Sequence, residues 1–246
     1  MSRELRAVML GSLCIASSGL AGPPLETDDP GTPGDGNWEI NFGSTLEQRA
    51  SIWEFKPLLD VNYGWGERVQ LKLKPRAVVL DAEDQGARAG AGNIQLGVKW
   101  RFLDEDTRGV AMSIYPQVDF NPPGRSVERG LVDEGHQFFL PFQVARTFGK
   151  TFVYFEAGYN WHERDDDDIV FGLAAEYSPT DALRLVGEFR NGATRNFDEH
   201  ELFFNAGFKW KLQENWTLLA SAGRTLREAQ DDDAAVFSYL GLQWTF

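Results

Sequence analysis

From residue 37 to its end, this chain alternates apolar and polar residues with a period of two. Successive side chains of a strand point to opposite faces, so each alternating segment has one greasy and one polar side. Near 52–64, Trp53, Phe55, Leu59, Val61 and Tyr63 stand against Glu54, Lys56, Asp60 and Asn62. Near 68–79, Val69, Leu71, Leu73 and Val79 stand against Gln70, Lys72, Lys74 and Arg76. Near 92–102, Ile94, Leu96, Val98 and Trp100 oppose Gln95, Lys99 and Arg101. The same grammar predicts strands near 37–47, 109–121, 137–147, 151–162, 169–178, 182–191, 200–211, 215–224 and 235–246, about twelve in all. The last places Val236, Leu240, Leu242, Trp244 and Phe246 on one face.

Lysine and arginine at every second place require a polar environment on that face, and the other face requires an apolar one. An all-β, antiparallel transmembrane β-barrel supplies both, with lipid outside and a polar lumen inside. Connection lengths support it. If both barrel termini are periplasmic, the turns 64–68, 103–108, 148–150, 178–181 and 212–215 are short, as periplasmic turns are. The connections 80–91, 122–136, 163–168, 192–199 and 225–234 read as external loops, most of them longer and several acidic.

Composition narrows the partners. Asp and Glu outnumber Lys and Arg 37 to 24, a net charge of -13, which excludes the basic footprint of a nucleic-acid binder. Mean hydropathy is -0.36 and no apolar run reaches the roughly 20 residues of a spanning helix, but lumen-facing residues dilute the hydropathy of any barrel. Arg3 and Arg6, the apolar run 7–16, and the small residues Gly19 and Ala21 read as a signal peptide over 1–21, cleaved after Ala21. Its Cys14 is the only cysteine. Residues 22–36, rich in Pro, Gly and Asp and without periodicity, read as an extended periplasmic leader, and 37–246 as the barrel.

The candidate chemistry is mostly on the inner face. Lys72, Lys74, Arg76, Lys99 and Arg101 form a basic strip on the third and fourth strands. Asp119, Glu156, Glu176 and Glu188 supply acids farther round, and Arg184, Arg190 and Lys209 return positive charge. Buried charges must be paired or hydrated. The strip therefore reads as the lining of a narrow aqueous channel, or as a salt-bridged closed interior. Thr27, Asp28 and Asp29 in the leader are the candidate constriction. The acidic runs 165–168 and 231–233 lack the spaced ligands of a calcium loop, so no metal is expected. His136, His162 and His200 fall at external strand ends without ligand spacing. A barrel hydrolase needs a Ser–His pair. Ser113, Ser221 and Ser238 carry no such signature, and Gly90-Ala-Gly92 lacks the rest of a dinucleotide loop. No catalytic residue and no cofactor is expected.

Pro24-Leu-Glu-Thr-Asp-Asp-Pro30, followed by Gly36-Asn-Trp-Glu39, resembles the N-terminal signature of the "MetA-pathway of phenol degradation" outer-membrane proteins. The segments 92–102, 113–119, 148–150 and 221–224 resemble that family's strands and turns, with Asn93 where an Asp is more usual. The resemblance spans nearly the whole mature chain. It implies a Gram-negative outer-membrane barrel acting as a porin-like channel or transporter for small solutes, aromatic or anionic ones among them. A structural or surface-interaction barrel without flux is the alternative, with a lipid hydrolase behind it. Partners expected are outer-membrane lipid and lipopolysaccharide, the solute, and the barrel-insertion machinery, for which Trp244 and Phe246 form the insertion signal.

Overall fold

A computed structural model describes residues 22–82, 86–122, 124–195, 197, 200–227 and 235–246. The signal-peptide segment 1–21, with Cys14, and the acidic run 231–233 lie outside the described residues.

Among the described residues, thirteen strands form one closed antiparallel sheet. They are β1 (Trp38–Arg49), β2 (Ile52–Trp65), β3 (Val69–Ala82), β4 (Gly86–Leu103), β5 (Ala111–Ile114), β6 (Gln117–Phe120), β7 (Gln137–Phe148), β8 (Thr151–His162), β9 (Asp168–Tyr177), β10 (Leu183–Thr194), β11 (His200–Lys211), β12 (Trp216–Arg227) and β13 (Ala235–Thr245). One helical turn, α1 (Glu105–Arg108), links β4 to β5. Closure is made by β1 on β13, in register from Glu39↔Thr245 to Arg49↔Ala235. Trp38 and Phe246 exchange backbone hydrogen bonds of 2.8 and 3.1 Å at the seam.

β5 and β6 are two halves of one spanning strand, since both pair with β4 and with β7. The barrel therefore has twelve spans. The break falls at Tyr115-Pro116, where proline has no N–H for the ladder. There Tyr115 turns fully into the interior.

Every connection at the Trp38–Phe246 rim is a tight turn or the short α1 link, which makes that rim periplasmic. At the other rim the expected loop over 80–91 is largely strand: β3 runs to Ala82 and β4 begins at Gly86. This extended hairpin is braced by residues 124–136, where the Arg129 carbonyl accepts from the Arg88 guanidinium at 2.7 Å and the Arg129 guanidinium donates to the Ala89 carbonyl at 3.0 Å. The extra polar contacts let two strands continue where the apolar alternation fades.

The outward parity is the apolar one. Trp100, Leu173, Leu185, Phe189 and Leu240 are each about half exposed, as a lipid-facing surface must be. At the periplasmic rim Trp244 stacks on Trp216 with centroids 5.6 Å apart and packs on Phe246 at 4.2 Å. Among the described residues no helix is long and apolar enough to cross a membrane, so strands do the crossing.

Candidate functional site

The inward parity brings the predicted charged residues into one lumen, where acids and bases pair. Lys72 meets Asp60 at 3.3 Å, and Arg76 meets Asp119 at 2.5 Å. Glu156 takes Arg190 at 2.9 Å, while Glu176 holds Lys209 at 2.6 Å and Arg184 at 3.7 Å. Arg101 lies nearer the periplasmic rim, on Asp104 at 2.9 Å and on the Glu67 carbonyl at 2.8 Å. Lys74 has no ion pair or hydrogen bond to a described residue and faces open space.

The leader occupies the periplasmic half of this lumen. It starts at the rim, where Gly36 N donates to the Gly64 carbonyl at 3.0 Å and Thr32 Oγ1 donates to the Glu67 carbonyl at 2.8 Å. Gly64 has no side chain because the Gly34 carbonyl fills that space. Farther in, Lys99 Nζ, fully buried, donates to Asp28 Oδ1 at 3.0 Å and to the Asp29 carbonyl at 2.6 Å. The Glu188 carboxylate accepts the Glu26 and Thr27 amides at 2.9 and 2.7 Å. Asn205 donates to the same carboxylate at 3.0 Å. The Pro24 carbonyl accepts from Ser221 Oγ at 2.7 Å and from Asn205 at 3.3 Å. Leu25 packs among Ala145, Tyr154, Ala174 and Val186. Thr27 presses on Gly172, where any Cβ would collide with its side chain. The segment then turns back, so that a Cβ on Gly22 would stand 3.8 Å from Glu39 Oε1 near the rim.

The candidate constriction residues Thr27, Asp28 and Asp29 thus sit together in mid-lumen. Burial pushes the Asp29 carboxyl up to about 7, against the attraction of Lys99. Burial acts on Asp28 as well, but Lys99 and Lys72 outweigh it and hold that carboxyl below its usual range.

Among the described residues, nothing fills the external half of the lumen. A cavity of about 410 Å³ lies above the leader, with Glu26 on its floor. Lys74, Arg76 and Arg190 line one part of it, and Leu58, Phe203 and Phe237 another.

The other candidates are spread round the wall or the rim. Ser113 Oγ donates to Gln143 at 2.6 Å, Ser221 is bound to Pro24, and Ser238 is on the lipid-facing parity of β13. His162 lies 2.5 Å from Asp168 at the external end of β8. Hydrogen bonds from the Tyr159 hydroxyl and the His162 amide hold the Asp167 carboxyl below its usual range. Among the described residues no acidic or histidine group is arranged as a metal site. Several important lumen residues were not singled out from the sequence: Asn205, Asp60, Gln143 and Tyr115. Each has the inward parity, which was the available signal, but only the closed sheet shows which of them face the leader.

No protein-family model matches this chain, and no curated protein sequence matches it. Solved structures do. An outer membrane channel from Pseudomonas putida F1 is 12% identical with a TM-score of 0.68, covering 85% of this chain and 94% of that one. The KdgM porin, solved in complex with disordered oligogalacturonate, is 9% identical with a TM-score of 0.58, covering 85% and 99%. The CymD monoaromatic hydrocarbon channel is 8% identical with a TM-score of 0.53, covering 86% and 89%. At such identities the likeness is one of fold: this chain has the closed antiparallel β-barrel fold of these outer-membrane structures.

Proposed function

We propose that this chain is an outer-membrane channel for passive passage of small solutes, aromatic or anionic ones among them, and that residues 22–36 are its constriction. One observation carries the reading: a charged lumen, open externally as a cavity of about 410 Å³, ends on a segment held mainly by polar contacts. Leu25 is the one large apolar side chain that the segment buries. The segment's bonds to Glu188 and Lys99 are charge-assisted, about 1.5–3 kcal/mol each, but they are few, whereas a barrel strand is held by a full ladder on both edges, so the leader is easier to displace than a strand. The fold shared with the structures named as channels and porins supports flux. The leader motif 24–30 supports reading the chain as a divergent member of the phenol-degradation outer-membrane family. The hydroxyls of Ser113 and Ser221, committed to Gln143 and Pro24, support a protein without catalysis. Trp244 and Phe246, at the closing seam, are the segment we assign to recognition by the insertion machinery.

The test is single-channel conductance of the full mature chain and of a variant lacking 22–33, with solute uptake by proteoliposomes. We expect low conductance in the first and a several-fold rise in the second. No conductance and no uptake in either variant returns the protein to a barrel without flux.

A further inference from the structure

We propose that the external cavity binds a small aromatic carboxylate, with Lys74 taking the carboxylate and Leu58, Phe203 and Phe237 taking the ring. The proposal deepens the channel reading and rests on it for the solute's route, but binding itself needs no flux.

The first argument is charge. On the inner face of β3, Lys72 is committed to Asp60 and Arg76 to Asp119. Lys99 is committed to Asp28, and Arg190 to Glu156. Lys74 lies between Lys72 and Arg76, is only partly exposed, lines the cavity, and makes no ion pair or hydrogen bond to a described residue. An ammonium removed from bulk water needs a counter-charge. Glu26 faces the same cavity from the leader floor but forms no ion pair with Lys74. Its backbone amide and carbonyl are already bound by Glu188 and Arg190. Glu26 puts a carboxylate on the floor, and the other lining cations Lys56, Arg49, Arg76 and Arg190 already have acidic partners, so the carboxylate of an entering anion is directed to Lys74.

The second argument is the apolar wall. Phe203 and Phe237 meet edge to face, centroids 5.6 Å apart at 88°, with Leu58 packed beside them. These are lumen positions that belong to one inward apolar cluster with Leu219 and Tyr239, and all three line the cavity. Leu58 is the register partner of Arg76, and Lys74 is two residues along the same strand. The backbone of Lys74 is therefore about 7 Å along the sheet from the level of Leu58 at the strand rise, within the reach of a lysine side chain and one ring bearing a carboxylate. A cavity of about 410 Å³ has the size of a small-molecule site. Its lining sets these three apolar side chains beside charged ones, which suits a ligand that is apolar at one end and ionic at the other.

The experiment uses the full mature protein in detergent micelles, with 4-fluorobenzoate observed by ¹⁹F line broadening. Unlabelled benzoate, acetate and benzyl alcohol serve as competitors. We expect benzoate to compete at least tenfold better than acetate or benzyl alcohol. Lys74→Met weakens benzoate at least tenfold and leaves benzyl alcohol unchanged; Phe203→Ala weakens benzoate and leaves acetate unchanged. Lys74→Gln is the second variant, and heat-dependent gel mobility verifies the barrel in each. Acetate competing as well as benzoate, benzyl alcohol doing so, absence of binding, or indifference to both Lys74 variants overturns the proposal. Binding without conductance leaves the site standing and removes the channel. Conductance without binding does the reverse.

Discussion

Glu188 gives the sharpest test of how the leader is held. Its carboxylate, 1% exposed, accepts the Glu26 amide at 2.9 Å, the Thr27 amide at 2.7 Å and the Asn205 side chain at 3.0 Å. Glu188→Gln keeps the shape but leaves one acceptor oxygen and places an amide donor against a backbone donor. The loss is at least one charge-assisted hydrogen bond, about 1.5–3 kcal/mol, with a buried N–H left unpaired at about 1–3 kcal/mol more. A conservative total of about 3 kcal/mol shifts the docking equilibrium about 100-fold. Hydrogen exchange of peptide 22–33, followed by mass spectrometry, reads that equilibrium because the Glu26 and Thr27 amides are the bonded groups. We expect their exchange to rise about 100-fold while the strand amides of β13 stay protected. Unchanged protection of the leader in a folded Glu188→Gln barrel refutes the reasoning, since docking would not then depend on this carboxylate.

Docking also depends on pH. The docked Asp29 titrates at about 7 and the free side chain at 3.8, so the docked leader holds a proton that the released one gives up. Docking therefore weakens as pH rises from about 4 through about 7, by at most about 4 kcal/mol; Asp28, held low, opposes this only when the pH falls below its ordinary range. Leader exchange measured at pH 5 and pH 8, corrected for intrinsic rate, shows the trend, and Asp29→Asn removes it. Gly172→Val places a side chain where Thr27 lies, so it releases the leader while heat-dependent mobility of the barrel is retained. Leu240→Arg puts a charge on the lipid face, where Leu240 is 59% exposed, and costs about 2–4 kcal/mol in unfolding from lipid vesicles.

What could be read from the sequence was whatever has a period. The lipid face obeys a strict parity because every second side chain meets hydrocarbon, and one misplaced charge there is costly. Strands, turns and the inward set Lys72, Lys99, Glu156, Glu188 and Lys209 follow from that parity alone. Two features escaped it. The break at Tyr115-Pro116 looks, in sequence, like one more alternating strand, because Met112, Ile114, Val118 and Phe120 keep their parity across it; Pro116 is legible, but only the ladder shows that pairing is interrupted there. The extended hairpin of β3 and β4 carries mostly small residues and no clean apolar–polar alternation, and Arg88 and Arg129 tie it to the neighbouring loop. The leader is the extreme case. Its residues carry no periodicity, and their position is set by partners more than 160 residues away at Glu188 and more than 180 away at Asn205. Such contacts join a backbone amide to a carboxylate, or a carbonyl to an amide, and any chain has amides and carbonyls. The sequence marks the donor Lys99 and the acceptor Glu188 as inward, but not as the two sides of one slot. That follows only once twelve spans close and bring β4 and β10 to opposite sides of the same narrow lumen. Lys74 completes the argument: its neighbours Lys72 and Arg76 share its parity and its charge, and only the pairing of both to Asp60 and Asp119 reveals that it alone of the three makes no ion pair with a described residue.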